Sequence, residues 1–488
     1  MKFGLEQHNI DGIVSVLEQH PKVDKAFVFG SRAKGNYREA SDIDMAIKGQ
    51  NLNYNDVLTL GVKLDEMELP YKIDLLDYHT IKEPALKEHI DRVGIEFYSR
   101  WETVMLQEIV SKLGDGLHGS PEYDINGEYF FINGNNLIDG KIVIKESTQR
   151  VSEKEYLKYK KELNDRTILL GINGTIGNVA LYNGEKCILG KSACYFNVIN
   201  SVNKEYIKYV ITDKTFQSYI ENFANGSTIM NVSLKVVREY EFSLPPLQEQ
   251  TAIASILSSL DDKIDLLHRQ NKTLEQLAET LFRQWFVEEA EESWEEKSLF
   301  DVIELIGGGT PKTENGKYWD GKIKWLSCGD IASNHKSFVM STEKAITDLG
   351  LQNSSAKLLP KYSMVISARG TVGKYCLLSE PMTFSQSNYG IKPKYENCYF
   401  FTYLLVAYSV EELQAAAYGS VFDTITTSTF KGQKVSVPDF ETIKQFEEKI
   451  TPYFNKILSN QTQIHTLTQT RDTLLPKLMS GEVRVEIV

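Results

Sequence analysis

A Gly-Ser pair and three carboxylates near the start of the chain have the types and spacing of a chemical site. The apolar run Phe27-Val28-Phe29 ends in Gly30-Ser31-Arg32, and ten residues separate Ser31 from Asp42-Ile43-Asp44-Met45. Asp74 lies further on, inside the apolar stretch Lys72-Ile73-Asp74-Leu75-Leu76. Side chains two apart on a strand share a face, so Asp42 and Asp44 should point together, and an acid on a neighbouring strand can complete a metal site. Mg2+ held by Asp42, Asp44 and Asp74 could bridge a nucleoside triphosphate and activate an attacking hydroxyl. Gly30 lets the backbone approach phosphate closely, Ser31 can hydrogen-bond a phosphate oxygen, and Arg32 is a third candidate nucleotide contact. A solvated turn with chance acids is the alternative, and it must explain all three features at once.

The elements that must position these groups follow from periodicity. Helical spacing over 5–17 leads into a strand at 26–29, then strands at 43–47 and 72–76 and a closing helix over 84–98. GS, DxD and a third strand-borne Asp resemble the minimal nucleotidyltransferases of the polymerase-β-like superfamily, including the antitoxin type that adenylylates a partner toxin. The resemblance covers about residues 1–100. It implies catalysis by Asp42, Asp44 and Asp74, with Mg2+ and ATP or another nucleoside triphosphate as cofactors, and a toxin-like protein as possible substrate.

Beyond Arg100 the chain is written twice. Trp101-Glu102 recurs as Trp294-Glu295, Gly174-Thr175-Ile176-Gly177 as Gly370-Thr371-Val372-Gly373, Gly226-Ser227 as Gly419-Ser420, and Leu244-Pro245 as Val437-Pro438. Phe131-Ile132-Asn133-Gly134-Asn135-Asn136-Leu137 matches Trp325-Leu326-Ser327-Cys328-Gly329-Asp330-Ile331 in register. Each copy ends in a heptad stretch. Ile253, Leu257, Leu260, Ile264, Leu267, Asn271, Leu274, Ala278 and Leu281 form one seam. Phe446, Ile450, Tyr453, Ile457, Asn460, Ile464, Leu467, Arg471 and Leu474 form the other. Alternating spacings of three and four predict a coiled coil, in which Asn271 and Asn460 could be partners if the pair is antiparallel. Two amphipathic helices packed on the repeat bodies are the alternative. A duplicated unit joined by long helices suits a target with two separated half-sites, and DNA is the obvious one.

Composition limits the other classes. With 488 residues the chain can hold several domains, and 42% apolar and 25% charged residues are ordinary for a soluble protein. No apolar run reaches membrane-spanning length and the start lacks a signal-peptide pattern, so a cytoplasmic protein without membrane contact is expected. Cys187, Cys194, Cys328, Cys376 and Cys398 show no CxxC spacing and read as idle thiols in a reducing compartment. The net charge of −12 does not by itself suggest DNA, although the repeat bodies are the least acidic parts. The Gly-rich stretches 115–121 and 307–311 precede no Lys-Ser/Thr helix start, and GINGTIG lacks a dinucleotide-site context, so these glycines read as turns.

The head W-E-x-x-x-L, the GGTPKT stretch, a GTxG turn, a late Gly-Ser and (L/V)-P before a long helix resemble type I restriction-modification specificity subunits. The helix entry LPPLQEQTAIASILSSLDDKI and the chain end LLPKLMSGEV add to the likeness, which covers about residues 101–488. The second copy departs from it by reading VPDFETIKQFEEKI where the first reads LPPLQEQTAIASIL. The resemblance implies an α+β multidomain protein: a nucleotidyltransferase α/β domain (1–100), then two α/β target recognition domains (101–245 and 293–438). Each is followed by a long helix (246–292 and 439–488, the latter with the tail), and the helices pair as an antiparallel coiled coil. It further implies double-stranded DNA as ligand, docking of modification (methyltransferase) subunits and, through them, restriction or translocase subunits, and no cofactor for this module. Lys312, Thr313, Arg369 and Lys374 in the second copy, with Lys191 and Lys235 in the first, are candidate DNA contacts from polar, turn-rich stretches. A helix of about forty residues is roughly 60 Å long, a reach of at most about 18 base pairs. Two other readings stand beside this one: a nucleotidyltransferase whose repeats select its target, and a purely structural repeat scaffold.

Overall fold

The computed structural model describes residues 2–20, 22–38, 41–49, 51–224, 230–418 and 423–485. They form two compact units, residues 1–259 with 470–488 and residues 260–469. Among the described residues, no helix is long and apolar enough to cross a membrane.

In the first unit the chain begins α1 (Gln7–Glu18), β1 (Val23–Phe29), α2 (Gly30–Lys34), β2 (Ile43–Gly49), α3 (Tyr54–Asp65), β3 (Ile73–Asp77), α4 (Pro84–Val93), β4 (Ile95–Ser99). The sheet runs β3-β2-β1-β4, with β2 and β3 parallel and β1 antiparallel to both of its neighbours. Ile13 and Leu17 of α1 close its core over Val28, Met45 and Ile47. The helix expected over 84–98 ends early. Gly94 leaves the helical region after its N–H caps Ile90 O at 2.8 Å, and β4 then takes the free edge of β1. Ile-Glu-Phe-Tyr favours that edge over a further helical turn.

Both repeats are β-rich bodies closed by a two-stranded clasp. In the first, Glu102–Met105 pairs with Glu241–Leu244, and in the second Glu295–Ser298 pairs with Lys434–Val437. The W-E head and the (L/V)-P tail therefore lie in adjacent strands, with Glu102 opposite Leu244 and Glu295 opposite Val437. The first repeat holds a four-stranded antiparallel sheet centred on Thr167–Gly171 and Ala193–Val198. The second has a five-stranded sheet centred on Asn388–Pro393 and Met364–Ser367. Each body also packs paired helices, Lys204–Thr212 with Lys214–Asn222 and Tyr399–Tyr408 with Val410–Tyr418.

The long helices are Leu247–Arg283 and Phe440–Met479, of 37 and 40 residues. Within the first unit, Ile253, Ala254 and Leu257 share a core with Leu474, Leu475 and Leu478. Within the second, Asn460 Nδ2 donates to Asn271 Oδ1 at 2.8 Å, and Phe446 meets Phe282 and Phe286 edge-on at 6.0 and 4.7 Å. Pairing 271 with 460 and 282 with 446 runs the helices antiparallel, as the two seam asparagines suggested.

Candidate functional sites

The carboxylate site is set by sheet register. Asp44 and Asp74 are Cα partners on the parallel strands β2 and β3, so they share a face, and Asp44 also faces Phe29 at the end of β1. Asp42 stands one residue before β2, exposed. Gly30 turns the chain from β1 into α2 with a φ of +72°, and a Cβ there would collide with the Asp44 carboxylate. Burial, then Asp74, then Asp42 push the Asp44 carboxyl above its usual range. The ionised form of Asp44 is thus disfavoured beside two other acids, and a cation there would favour it. Lys72 Nζ lies 2.5 Å from Asp74 Oδ1 and partly offsets the charge. Among the described residues, no group of three or more His, Cys, Asp and Glu side chains is placed to hold a metal ion. Asp44 and Asp74, paired across β2 and β3, are the carboxylates that could hold a cation, with exposed Asp42 at the head of β2 and the Gly30-Ser31 turn beside them.

Arg32 is placed differently from a phosphate contact. It is buried, donating to Ser41 O at 2.6 Å, Asp42 O at 3.3 Å and Phe3 O at 2.9 Å, with the Tyr71 ring 4.4 Å from its guanidinium carbon. Its donors hold the loop that presents Asp42 and so act on the site from behind. No sequence signal separates this role from a nucleotide contact, because the carbonyls that need its donors are nine and ten residues away.

The domain is fastened to its own unit by an arginine that no motif marks. Arg484, past the second long helix, gives Nε and Nη2 to the Glu249 carboxylate at 2.9 and 3.1 Å and Nη1 to Asp24 of β1 at 3.3 Å. Trp101 Nε1 donates to the same Glu249 at 3.1 Å.

The repeats build one loop cluster twice. Gly177 N donates to Gly171 O and Gly373 N to Ser367 O, both at 2.9 Å. Gly171 N to Asn178 O and Ser367 N to Lys374 O are both 2.7 Å. Ile172 N reaches Ser192 O as Ala368 N reaches Ser387 O, both at 3.0 Å. All four turn glycines, Gly174, Gly177, Gly370 and Gly373, have φ between +73° and +87°, which is why the motif needs glycine at both ends. A third loop joins each cluster: Ser192 Oγ accepts from Gly134 N at 2.9 Å, and Cys328 Sγ lies 3.6 Å from Arg369 O. Val232 N to Ile172 O and Ile425 N to Ala368 O bring a fourth segment alongside. The duplicated Gly226-Ser227 and Gly419-Ser420 lie outside the described residues.

Arg369 and Lys374 flank the second GTxG turn with exposed side chains, and Lys191 is exposed on the loop beside Ser192. Lys312 and Thr313 are exposed at the end of the Gly-rich stretch, whose Gly309 N donates to Phe384 O at 3.0 Å near the same cluster. Lys235 is turned toward Glu239 at 3.7 Å, on the short helix Leu234–Arg238. Sequence reasoning missed Gln217 and Gln414. Gln217 Nε2 donates to Gly177 O at 3.1 Å and Gln414 Nε2 to Val372 O at 2.8 Å, so an equivalent amide holds each turn. The 197-residue offset between them was the available signal.

Comparison with known proteins follows this division. Residues 98–276 and 291–469 each match the family described as type I restriction modification DNA specificity domain. Residues 11–103 match the family described as polymerase beta, nucleotidyltransferase. The type I restriction enzyme MjaIX specificity subunit of Methanocaldococcus jannaschii is 26% identical over 390 residues, 75% of this chain and 86% of that protein. The probable protein adenylyltransferase MntA of Haemophilus influenzae is 31% identical over 93 residues, 19% of this chain and 81% of that protein. The crystal structure of a type I restriction-modification S subunit from M. genitalium shares the fold, with a TM-score of 0.54 and 20% identity over 78% of this chain and 96% of that one.

Proposed function

Because the chain belongs to the type I restriction-modification DNA specificity family, and its first domain to the polymerase-β-like nucleotidyltransferases, we propose that it reads a bipartite DNA sequence and carries a separate nucleotidyl-transfer site. One observation supports the first half above others. The same loop cluster is built twice from equivalent hydrogen bonds, yet the side chains beside it differ, with Asn173 and Asn178 in one copy where Arg369 and Lys374 stand in the other. Two similar frames with different polar groups are what reading two half-sites requires. Arg369, Lys374, Lys312 and Thr313 then contact one half-site, and Lys191 and Lys235 the other. The long helices space the two reading domains and offer a docking surface to modification subunits, and through them to restriction or translocase subunits. This module needs no cofactor.

The test is retention of DNA by the chain assembled with its modification subunits. Arg369→Ala with Lys374→Ala should weaken binding at least tenfold, since each lost base or phosphate contact is worth about 1–3 kcal/mol or one unit of salt dependence. Unchanged binding would remove this face from consideration.

The nucleotidyl-transfer reading rests on the register that sets Asp44 beside Asp74 over Gly30. Bound magnesium would supply charge neutralisation for a triphosphate, with ATP as the expected donor. Gly30 and Ser31 cradle phosphate oxygens, Asp42, Asp44 and Asp74 hold the cation, and Arg32 keeps Asp42 in place. A protein hydroxyl attacks the α-phosphorus and pyrophosphate leaves. The relative named a probable protein adenylyltransferase makes a protein the acceptor class, and the resemblance to antitoxin-type nucleotidyltransferases makes a toxin-like partner the candidate. Incubation with labelled ATP and Mg2+ tests it: label should enter the chain or a copurifying protein, and no incorporation from any nucleoside triphosphate would contradict it.

A further inference from the structure

Residues shared by the two repeats cannot be what distinguishes one half-site from the other. Phosphates are the same at every base step, so a contact built identically in both copies suits the DNA backbone, and base edges are left to positions that differ. The GTxG turns are such a shared feature, closed in both copies by the same bond, Gly177 N to Gly171 O and Gly373 N to Ser367 O. Gly174 and Gly370 at the tips are exposed and have nothing within 4 Å of the place a Cβ would occupy, so another backbone can come close there. Among the described residues, no group accepts from the backbone N–H of Ile176 or of Val372, which hold equivalent places in the two turns. An unpartnered N–H between two glycines of positive φ is a ready donor to an anionic oxygen.

The second glycine of each turn faces the opposite way. A Cβ at Gly177 would collide with the Gln217 amide, and one at Gly373 with that of Gln414. Gln217 also donates to Ile211 O at 2.6 Å, which ties the turn to the end of the preceding helix. Each turn is therefore held from behind by a glutamine on a nine-residue helix, with the Ile176 and Val372 side chains turned toward the body and the tip glycine exposed. Beside the turns the chemistry diverges. Arg369 can pair with guanine where Asn173 can pair with adenine, and Lys374 holds the place in the second copy that Asn178 holds in the first.

We propose that both GTxG turns grip the sugar–phosphate backbone through the N–H groups of Ile176 and Val372, and that Gln217 and Gln414 are positioning residues that fix each turn for this grip. Sequence is read by the non-identical neighbours. The inference rests on the reading that this face meets DNA.

The experiment uses the full chain assembled with its modification subunits and two labelled duplexes, one carrying the bipartite sequence mapped from methylated sites and one with that sequence scrambled. Binding is measured across a range of salt concentrations. Gln217→Ala with Gln414→Ala should weaken binding to both duplexes by the same factor, about tenfold, and should flatten the salt dependence by about one unit of slope per turn. The methylated sequence should stay the same. A second variant, Gly370→Ala, places a methyl group in open space at the tip but at a φ of +75° that favours glycine, so its melting temperature is read beside its binding, which should weaken equally for both duplexes. A changed ratio between the duplexes, or a changed methylated sequence, would show that the turns read bases and overturn the proposal. So would unchanged affinity in both variants. Arg369→Ala with Lys374→Ala separates this failure from that of the underlying reading: if that variant weakens binding and the turn variants do not, only the grip is wrong, and if none does, the face itself is.

Discussion

Gly30 touches the Asp44 carboxylate so closely that any side chain at position 30 must displace it. Its φ of +72° adds backbone strain for any other residue, of about 1–3 kcal/mol. Gly30→Ala should therefore abolish labelled-nucleotide transfer and lower the melting temperature, whereas a surface Gly35→Ala, with nothing within 4 Å, should spare transfer. The acids behave oppositely. Burial and its acidic neighbours raise the Asp44 carboxyl, so the ionised form is less stable in the folded chain than in the unfolded one. Asp44→Asn should raise the metal-free melting temperature while removing the rise that Mg2+ produces in the wild type. Asp42→Asn with Asp44→Asn should end transfer yet leave methylation by the assembled complex intact, and methylation collapsing in a folded double variant would show that the first domain gates the specificity module. The acids were legible because a strand alternation and a glycine each leave a sequence mark. Arg32 was expected among the nucleotide contacts, and its burial against the Ser41, Asp42 and Phe3 carbonyls left no mark in the sequence.

At the scale of elements, Glu447 on the second long helix is the buried acid that secures a neighbouring helix. It accepts from Phe400 N at 3.1 Å and Phe401 N at 2.7 Å, capping Tyr399–Tyr408. Burial pushes its carboxyl from 4.5 up to about 7. The sign follows: the group's stabilising contribution is complete below pH 4.5 and is lost as pH rises through about 7. Urea unfolding of Glu447→Gln should therefore lose less stability than the wild type between pH 5 and pH 8. Glu447→Leu should cost about 1–3 kcal/mol at either pH by leaving two N–H groups unpaired. In the seam, Asn460 is fully buried and bonded to Asn271. Asn271→Leu with Asn460→Leu should melt higher than either single variant, because each single change strands a buried amide. The heptads announced this pair. The capped helix Tyr399–Tyr408 was invisible to periodicity because seven of its ten residues are buried, so it shows no polar face. β4 was lost for a related reason, since a helical pattern ran on past Gly94 and only the open edge of β1 could redirect it.

For the whole molecule, duplication made the architecture legible: repeated motifs in repeated order reveal two reading bodies without revealing which loops converge. What the sequence could not supply is the through-space meeting of loops far apart in number, as when Gly134, Ile172 and Ser192 join in one cluster. The ruler role of the helices makes its own prediction. One heptad inserted after Leu267 with a matching heptad after Ile464 keeps the antiparallel seam in phase and adds roughly 10 Å, close to three base pairs, so the gap between half-sites should lengthen by about that count. An unchanged gap with retained affinity would mean that the helices do not set it. The central claim is that two separable bodies each read one half of the target, and replacing residues 294–438 with the equivalent body of another specificity subunit tests it most directly. Sequencing methylated sites in cells carrying the hybrid with its modification subunits should show one half of the recognised sequence replaced and the other half kept. Both halves changing, or neither, would contradict the account.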